Sequence, residues 1–237
     1  MPTDGLHPGW HAFHLPKPGH VAGEYEDAFA GDPARRRFAV ADGASESSFA
    51  AAWARLLAEG FVAARRPWRD LDWLGLLRER WAKEVDGLEL PWYAEMKREE
   101  GAFATLLGVV FRPGRWRALA VGDSCLFRTR GGRLRKAFPL AASADFGNQP
   151  RLLGSRGRVA LAEHARGRWR PGDRFLLMTD ALAQWFLRRS EQGERPAAEI
   201  AELLRGGDRP AAFADWIERK REQDLRNDDV TLVIIDL

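Results

Sequence analysis

Residues 35–47, RRRFAVADGASES, join a short apolar run to an acidic turn and a stretch of small residues. The run over 37–42 predicts a buried strand that stops at Asp42-Gly43, and the small residues after it predict the start of a helix. An aspartate at such a point is usually a helix cap or a turn residue. A carboxylate beside a bare glycine carbonyl is also a pair of oxygen ligands, so both interpretations stay open at this stage.

Further apolar runs predict strands in the middle and at the end of the chain, over 102–111, 116–123, 125–130, 133–138, 174–180 and 230–237. Pro113-Gly114 and Gly131-Gly132 are residue pairs that favour tight turns. Residues 102–138 are therefore expected to form an antiparallel meander.

Helical periodicity predicts two helices before these strands. Phe49, Trp53, Leu56, Gly60 and Ala64 fall on one face of the first, and Trp73, Leu76, Leu77 and Trp81 recur in the second. Further helices are predicted over 92–100, 180–189, 197–205 and 210–224. Helices grouped before and after a block of strands favour an α+β sandwich over a parallel βαβ sheet. Most of the ten tryptophans are expected in the core.

Length and composition favour one soluble globular domain over residues 1–237, with 45% apolar residues, 30% charged residues and a net charge of +3. A single cysteine, Cys125, cannot form an internal disulfide. The N-terminus lacks a signal-peptide pattern and no stretch approaches ~20 apolar residues. A cytoplasmic protein without membrane contact is expected. No basic tract with interleaved aromatics is present, which disfavours nucleic-acid binding.

Several other carboxylates stand, like Asp42, at one end of an apolar run. Asp123 and Asp180 each end an apolar run, Asp228 and Asp229 directly precede the last one, and Glu26-Asp27 begin a candidate short strand. Strand ends of one sandwich converge at its edge, so these acids could gather in one cleft.

Acids gathered without Cys or His repel one another unless a hard divalent cation neutralises them, and oxygen ligation suits Mg²⁺ or Mn²⁺. Zinc is disfavoured because the five histidines, at positions 7, 11, 14, 20 and 164, show no zinc-binding spacing. Two ions bridged by one carboxylate would activate a water for phosphoryl transfer. Gly43 suits such a site because a residue without Cβ lets its carbonyl approach an ion closely.

The ordered motifs EDAF, VADGAS, ATLLGVVF, LAVGDS, LLMTDAL and NDDVTLVII resemble the metal-dependent phosphatases of the protein phosphatase 2C family, from about residue 20 to the C-terminus. The resemblance implies a four-layer αββα sandwich, with two central antiparallel sheets flanked by helices. It also implies a centre of two Mn²⁺ or Mg²⁺ ions at one edge and phosphoserine or phosphothreonine on proteins as the substrate.

The same resemblance assigns roles to individual residues. Asp42 would bridge the two ions and Gly43 would offer its carbonyl to one of them, while Asp180 and Asp228 would bind the other. Asp42, Asp180 and Asp228 would thus carry catalysis. Glu26 and Asp27 would hold metal-bound waters, and Asp123 would help to bind a third, weaker ion. Asp229 stands where the family often has asparagine.

The chain departs from the family pattern at three positions. Ala181 replaces a glycine and Gln184 an acid, which weakens the expectation of a third ion. Ala22 stands where many members have an arginine that grips the substrate phosphate, and His14, Lys17 or His20 are candidate substitutes.

The leading hypothesis is a monomeric protein serine/threonine phosphatase that acts on a phosphorylated protein. The alternative is a catalytically weak regulatory module that binds phosphopeptides. Other phosphatase chemistries fit less well, because Cys125 is followed by Gly131 where a thiol-dependent phosphatase loop needs arginine, and no phosphate-binding GxxxxGK[ST] loop is present.

Overall fold

The computed structural model describes residues 9–44, 49–69, 71–86, 99–147 and 149–237. In these ranges the chain forms strands β1 (Gly9–Leu15), β2 (Ala28–Asp32), β3 (Arg37–Ala41), β4 (Phe103–Ala104), β5 (Leu106–Arg112), β6 (Arg115–Val121), β7 (Cys125–Arg130), β8 (Arg133–Phe138), β9 (Leu153–Gly154), β10 (Glu163–Arg168), β11 (Asp173–Met178) and β12 (Val230–Asp236). The α-helices are α1 (Ala50–Ala63), α2 (Leu74–Asp86), α3 (Asp180–Glu191), α4 (Pro196–Leu203) and α5 (Arg209–Arg221). Two short 3₁₀ turns cover Ala22–Glu24 and Ser143–Asp145.

The strands form two antiparallel five-stranded sheets and one two-stranded ribbon. The first sheet has the order β1-β12-β11-β7-β8, and the second has the order β10-β6-β5-β3-β2. Strands β4 and β9 pair separately beside the second sheet. The two sheets and the helices confirm the predicted α+β class.

Apolar side chains fill three layers, one between the sheets and one under each group of helices. In β5, Val109 and Phe111 face the layer between the sheets, whereas Leu106 and Val110 face α1 and α2. Helices α3, α4 and α5 cover the other face of the first sheet. Because successive side chains of a strand point to opposite faces, each sheet contributes to two hydrophobic layers. The layers follow the order αββα.

The second predicted helical face is wrong at one position. Leu74, Leu77, Trp81 and Val85 are the buried residues of α2, while Leu76 is 68% exposed. Leu76 lies about 100° round the helix from Leu77, outside the stripe that touches α1. Of the predicted helix 92–100, residues 92–98 lie outside the described ranges.

The predicted meander over 102–138 is also wrong, because its two hairpins belong to different sheets. β5 pairs with β6 in the second sheet, and β7 pairs with β8 in the first. The chain crosses between them at Gly122, whose φ is 101° and where a Cβ would lie 2.6 Å from Thr105 Cγ2. Glycine is required at this crossing. The predicted turns at Pro113-Gly114 and Gly131-Gly132 are confirmed.

Sequence periodicity missed two edge strands, β1 and β10. β10 has the sequence EHARGR and closes one side of the second sheet, and it carries mostly exposed polar residues. β1 carries two histidines and pairs with β12 along its whole length.

Candidate metal centre

Three aspartates that follow strands meet at one end of the sandwich. Asp42 follows β3, Asp123 follows β6, and Asp180 follows β11 as the first residue of α3. One carboxylate oxygen from each lies within 4.8 Å of the others. The expectation that strand-end acids converge is confirmed for this triad.

Backbone pairing with the β4–β5 segment holds Asp42 in place. The Thr105 N–H donates to the Asp42 carbonyl at 2.8 Å, and the Asp42 N–H donates to Thr105 Oγ1 at 3.2 Å. The Thr105 and Ser124 hydroxyls lie 2.9 Å apart, so one network joins the chain beside Asp42 to the chain beside Asp123. Thr105 interrupts the run predicted as one strand, and this interruption fixes the Asp42 backbone.

Gly43 continues the pairing in a position that a larger residue could not take. It forms an isolated bridge with Ala104, and its N–H donates to the Glu26 carbonyl at 3.2 Å. A Cβ on Gly43 would lie 2.7 Å from that same carbonyl oxygen. In the described part of the chain, no hydrogen-bond donor contacts the Gly43 carbonyl, which is therefore a candidate ligand.

Asp27 is buried beneath the triad and ties three strands together. Its Oδ2 accepts from Thr179 Oγ1 at 2.9 Å and from Thr231 Oγ1 at 2.6 Å. The Tyr25 hydroxyl shares a further hydrogen bond with Thr231. These bonds fix the ends of β2, β11 and β12 relative to one another.

Asp228 and Asp229, the two acids before β12, make different contacts. Asp229 is 4% exposed and accepts from the Lys17 N–H at 2.9 Å and the Glu26 N–H at 2.7 Å, so it anchors the segment before β2. Asp228 is half-buried, and its Oδ2 accepts from the Arg226 guanidinium at 3.2 Å. The same Arg226 nitrogen also donates to Asp180 Oδ2. Arg226 is thus the counterion that bridges Asp180 and Asp228.

Burial and mutual repulsion raise the pKa values of these carboxyls. Burial, with the charges of Asp27 and Asp180, holds the pKa of Asp42 well above its ordinary value. Burial and the Asp180 charge raise the pKa of Asp123 to about 7. Burial also raises the pKa of Asp27 to about 8, against the lowering effect of the two threonine hydroxyls. Such acids need protons or a bound cation to coexist.

One atom of the triad lacks a partner. Asp123 is 6% exposed, and its Oδ1 has no hydrogen-bond donor among the described residues. A buried carboxylate oxygen without a donor is costly unless a cation satisfies it. With only oxygen atoms offered, the site fits a hard cation such as Mg²⁺ or Mn²⁺.

The remaining predicted residues lie in β1 and in the segment between β1 and β2. The Glu26 carboxylate lies 3.6 Å from Lys17 Nζ, and both residues line a cavity of about 360 Å³ together with His20. The His14 ring packs against Tyr25 with ring centroids 5.0 Å apart. Of the three candidate phosphate-binding residues, Lys17 and His20 line this cavity and His14 does not.

Two positions singled out by sequence have structural contacts. Gln184 Nε2 donates to the Ser143 carbonyl at 3.4 Å, so this side chain contacts the 143–145 turn. Cys125 is the first residue of β7, as expected for a strand residue, and burial raises the pKa of its thiol. A buried thiol with a raised pKa is a poor nucleophile.

Sequence reasoning missed Arg226 and Thr105. Arg226 stands two residues before Asp228, and that proximity was the available signal. No sequence signal marked Thr105, because its role depends on which strand lies beside β3.

An αββα sandwich with carboxylates gathered where its strands end defines the class of this molecule. A family model described as Protein phosphatase 2C matches residues 24–218. The chain therefore belongs to the protein phosphatase 2C family.

Solved structures share this fold at low sequence identity. The Mycobacterium tuberculosis serine/threonine phosphatase PstP/Ppp is 20% identical with a TM-score of 0.65, over 98% of this chain and 99% of that chain. The catalytic domain of PstP in complex with two manganese ions is 22% identical with a TM-score of 0.61, over 97% of each chain. The phosphatase MsPP from Mycobacterium smegmatis, in complex with cacodylate, is 22% identical with a TM-score of 0.60, over 97% of this chain and 98% of that chain.

None of the curated proteins compared with this sequence matches it. Among the described helices, none combines the length and the apolar character needed to cross a lipid bilayer.

Proposed function

We propose that this protein is a metal-dependent phosphatase that hydrolyses phosphoserine and phosphothreonine on proteins. In this proposal, two Mn²⁺ or Mg²⁺ ions would be held by Asp42, which both would share, by the Gly43 carbonyl on one side and by Asp180 and Asp228 on the other. Asp123 adds a ligand beside this pair, either for a third and weaker ion or for one of the two.

The observation that carries the proposal is the triad of Asp42, Asp123 and Asp180, with its uncompensated oxygen on the buried Asp123. Family membership supports the phosphatase activity. The two manganese ions bound by the PstP catalytic domain support the number and type of ion.

When bound, two divalent cations lower the pKa of a shared water so that it can attack phosphorus without a side-chain nucleophile. The chain's own residues provide the frame for this chemistry. Thr105 fixes the Asp42 backbone, and Asp27 locks the strand ends beneath the site. Asp229 holds the Glu26 backbone, so that Glu26 and Asp27 are placed to orient waters around the ions.

Arg226 has a second task in this proposal. Its side chain is 43% exposed and its partners are the Asp180 and Asp228 carboxylates. With these carboxylates neutralised by bound cations, the guanidinium would be released from its counterion role. Arg226 and Lys17 would then be available to bind the substrate phosphate, since Ala22 stands in place of the family's arginine.

The test is Mn²⁺-dependent release of phosphate from an aryl phosphate and from phosphoserine and phosphothreonine peptides. Asp42→Asn keeps the shape of the side chain but removes the bridging charge. Asp215→Asn is a matched control, because Asp215 is exposed on α5. Activity in the wild type and the control, but not in Asp42→Asn, is expected. Equal activity in all three proteins would refute the assigned site.

One observation favours the second candidate, a phosphopeptide-binding module with little turnover. Arg226 already neutralises Asp180 and Asp228, and a residue that competes with ions can weaken the metal centre. This candidate predicts that calorimetry detects phosphopeptide binding while no phosphate is released. Turnover by the wild type would remove it.

A further inference from the structure

The outer face of the second sheet carries a set of exposed arginines on adjacent strands, Arg112, Arg115, Arg117, Arg166 and Arg168, here called the arginine ladder. Arg166 lies directly opposite Arg117, and Arg168 lies directly opposite Arg115. Arg115 in turn lies opposite Arg112. Three like-charged pairs therefore face one another across β10, β6 and β5.

Like charges directly opposite one another destabilise a sheet. None of the ladder arginines forms an ion pair with a carboxylate of the described residues. The crowding extends to Arg37, because burial and the charges of Arg35 and Arg112 lower the pKa of that guanidinium. A bound anion would neutralise these facing charges, so the arrangement suits a negatively charged ligand.

The ladder surrounds an aromatic side chain. The Arg112 and Arg117 guanidinium carbons lie 5.7 Å and 5.9 Å from the centroid of the Trp68 ring. Two cavities adjoin at this residue, one of about 340 Å³ between Trp68 and β5–β6, the other of about 280 Å³ between Trp68 and β10. His164 lines the second cavity and adds an ionisable group to it.

This surface lies far from the carboxylate triad. Arg115 and Arg117 are at the start of β6, whereas Asp123 follows its end. Along β6, which ends at Val121, the extended chain spans about 20 Å from Arg115 and about 13 Å from Arg117. The ladder is therefore separate from the proposed metal centre, and its ligand does not depend on the function of that centre.

We propose that the arginine ladder and Trp68 bind an acidic segment of polypeptide in an extended conformation. Alternate side chains of an extended peptide project on one face with a repeat of about 6.8 Å, the same repeat that separates Arg166 from Arg168 and Arg115 from Arg117. Carboxylates at alternate positions can thus meet successive arginines, which bind carboxylates through paired N–H donors. Of the two tryptophans that line these cavities, Trp116 is buried, so Trp68 alone cannot offer a series of rings on which nucleic-acid bases could stack.

The test measures binding of a fluorescein-labelled peptide with glutamate at alternate positions by fluorescence anisotropy at low ionic strength. The same peptide with glutamine in place of glutamate reports contributions other than charge. A labelled single-stranded oligonucleotide of equal charge reports the nucleic-acid alternative. The variant Arg117→Glu/Arg166→Glu reverses two ladder charges, and Arg133→Glu/Arg135→Glu reverses two exposed charges on β8 of the first sheet.

The wild type and the β8 variant are expected to bind the glutamate peptide alike, and the ladder variant at least about tenfold more weakly. Added salt should weaken this binding, and the glutamine peptide should not bind. Equal losses in the two double variants, no binding of the glutamate peptide, or tighter binding of the oligonucleotide would overturn the proposal. Arg117→Gln/Arg166→Gln, which should lose binding in the same direction, replaces the reversal variant if that variant does not fold. Turnover of an aryl phosphate should be the same in all variants, so failure here is separable from failure of the proposed phosphatase activity.

Discussion

Two groups of like-charged residues stand at opposite ends of the sandwich, and they differ in burial. The carboxylates of Asp42, Asp123 and Asp180 are close together, with Asp123 buried and the other two partly buried. The arginine ladder is also crowded, but its side chains lie in solvent. The carboxyl pKa values respond strongly to their surroundings, whereas arginines at a surface keep their charge.

The difference shows how burial decides what a cluster of charge can bind. Repulsion between charges grows as water is removed, so the buried acids require protons or a metal ion in direct contact. The exposed arginines are screened by water and salt, and their repulsion costs the fold little. Their ligand must be a large anion that approaches from solvent. The predictions below test each side of this contrast.

The largest effect is expected from Asp180→Asn, which removes one charge from the carboxylate triad. Mn²⁺-dependent phosphatase activity should fall by at least about 100-fold. Substitution of residues that only hydrogen-bond to a metal ligand already costs about 10–100-fold in metal affinity or activity. Mn²⁺ binding measured by calorimetry should weaken in parallel. The Asp215→Asn control should change neither quantity. Retained Mn²⁺ affinity in Asp180→Asn would show that this carboxylate is not a ligand.

The next effect is the pH dependence of stability in protein freed of metal with a chelator. The pKa values of Asp27 and Asp123 rise from 3.8 when unfolded to about 8 and about 7 in the fold. The folded state therefore binds more protons, and the contribution of these groups to stability is full below about pH 4 and lost as the pH rises through about 7–8. The free energy of unfolding in urea should fall by a few kcal/mol between about pH 6 and about pH 8.5.

Added Mn²⁺ should abolish or reverse this slope, since a cation binds the deprotonated carboxylates. The variant Asp123→Asn should show a shallower slope without metal. A metal-free protein equally stable at both pH values would contradict the electrostatic account of the buried cluster.

The acidic end of the molecule could be predicted from sequence because its signal is local. Asp42, Asp123 and Asp180 each follow an apolar run, and the run itself marks the strand whose end they occupy. The layered α+β fold was predictable for the same reason, because apolar residues recur with one period in strands and with another in helices. What failed was the placement of hairpins in sheets, since that depends on Gly122 and on the packing around it.

The basic end could not be predicted in this way. Arg115 and Arg168 are 53 residues apart in sequence, and their opposition depends on the register of β10 against β6. The strand β10 itself was missed, because its exposed polar residues resemble a loop. Arg226 was overlooked for a related reason, as its contact with Asp180 joins two distant parts of the chain.

A smaller effect is expected from Arg226→Gln, which removes the counterion from Asp180 and Asp228. Because the guanidinium competes with cations for these carboxylates, Mn²⁺ should bind more tightly to the variant. A partly exposed ion pair contributes about 0.2–1 kcal/mol, which corresponds to a gain in affinity of about 1.4- to fivefold. Calorimetric titration tests this directly. Weaker binding would show that Arg226 supports the metal site.

A rise in KM for the phosphopeptide, with little change for Mn²⁺ saturation, would separately reveal its role in binding phosphate.

The smallest effect tests whether the arginine ladder strains the fold when no anion is bound. Arg115 lies between Arg112 and Arg168 on adjacent strands, so Arg115→Thr removes two unfavourable pairs. The free energy of unfolding should rise by about 0.2–1 kcal/mol at low ionic strength. Arg133→Thr is the matched control, because Arg133 faces Arg130, whose charge is already paired with Asp173.

The salt dependence separates charge repulsion from the better strand propensity of threonine. Repulsion is screened at high salt, whereas propensity is not. The difference between Arg115→Thr and Arg133→Thr should therefore shrink as salt is added. A gain that persists unchanged at high salt would mean that the exposed arginines do not repel one another measurably. The carboxylate triad and the arginine ladder would then differ more sharply still, with electrostatic strain confined to the carboxylates.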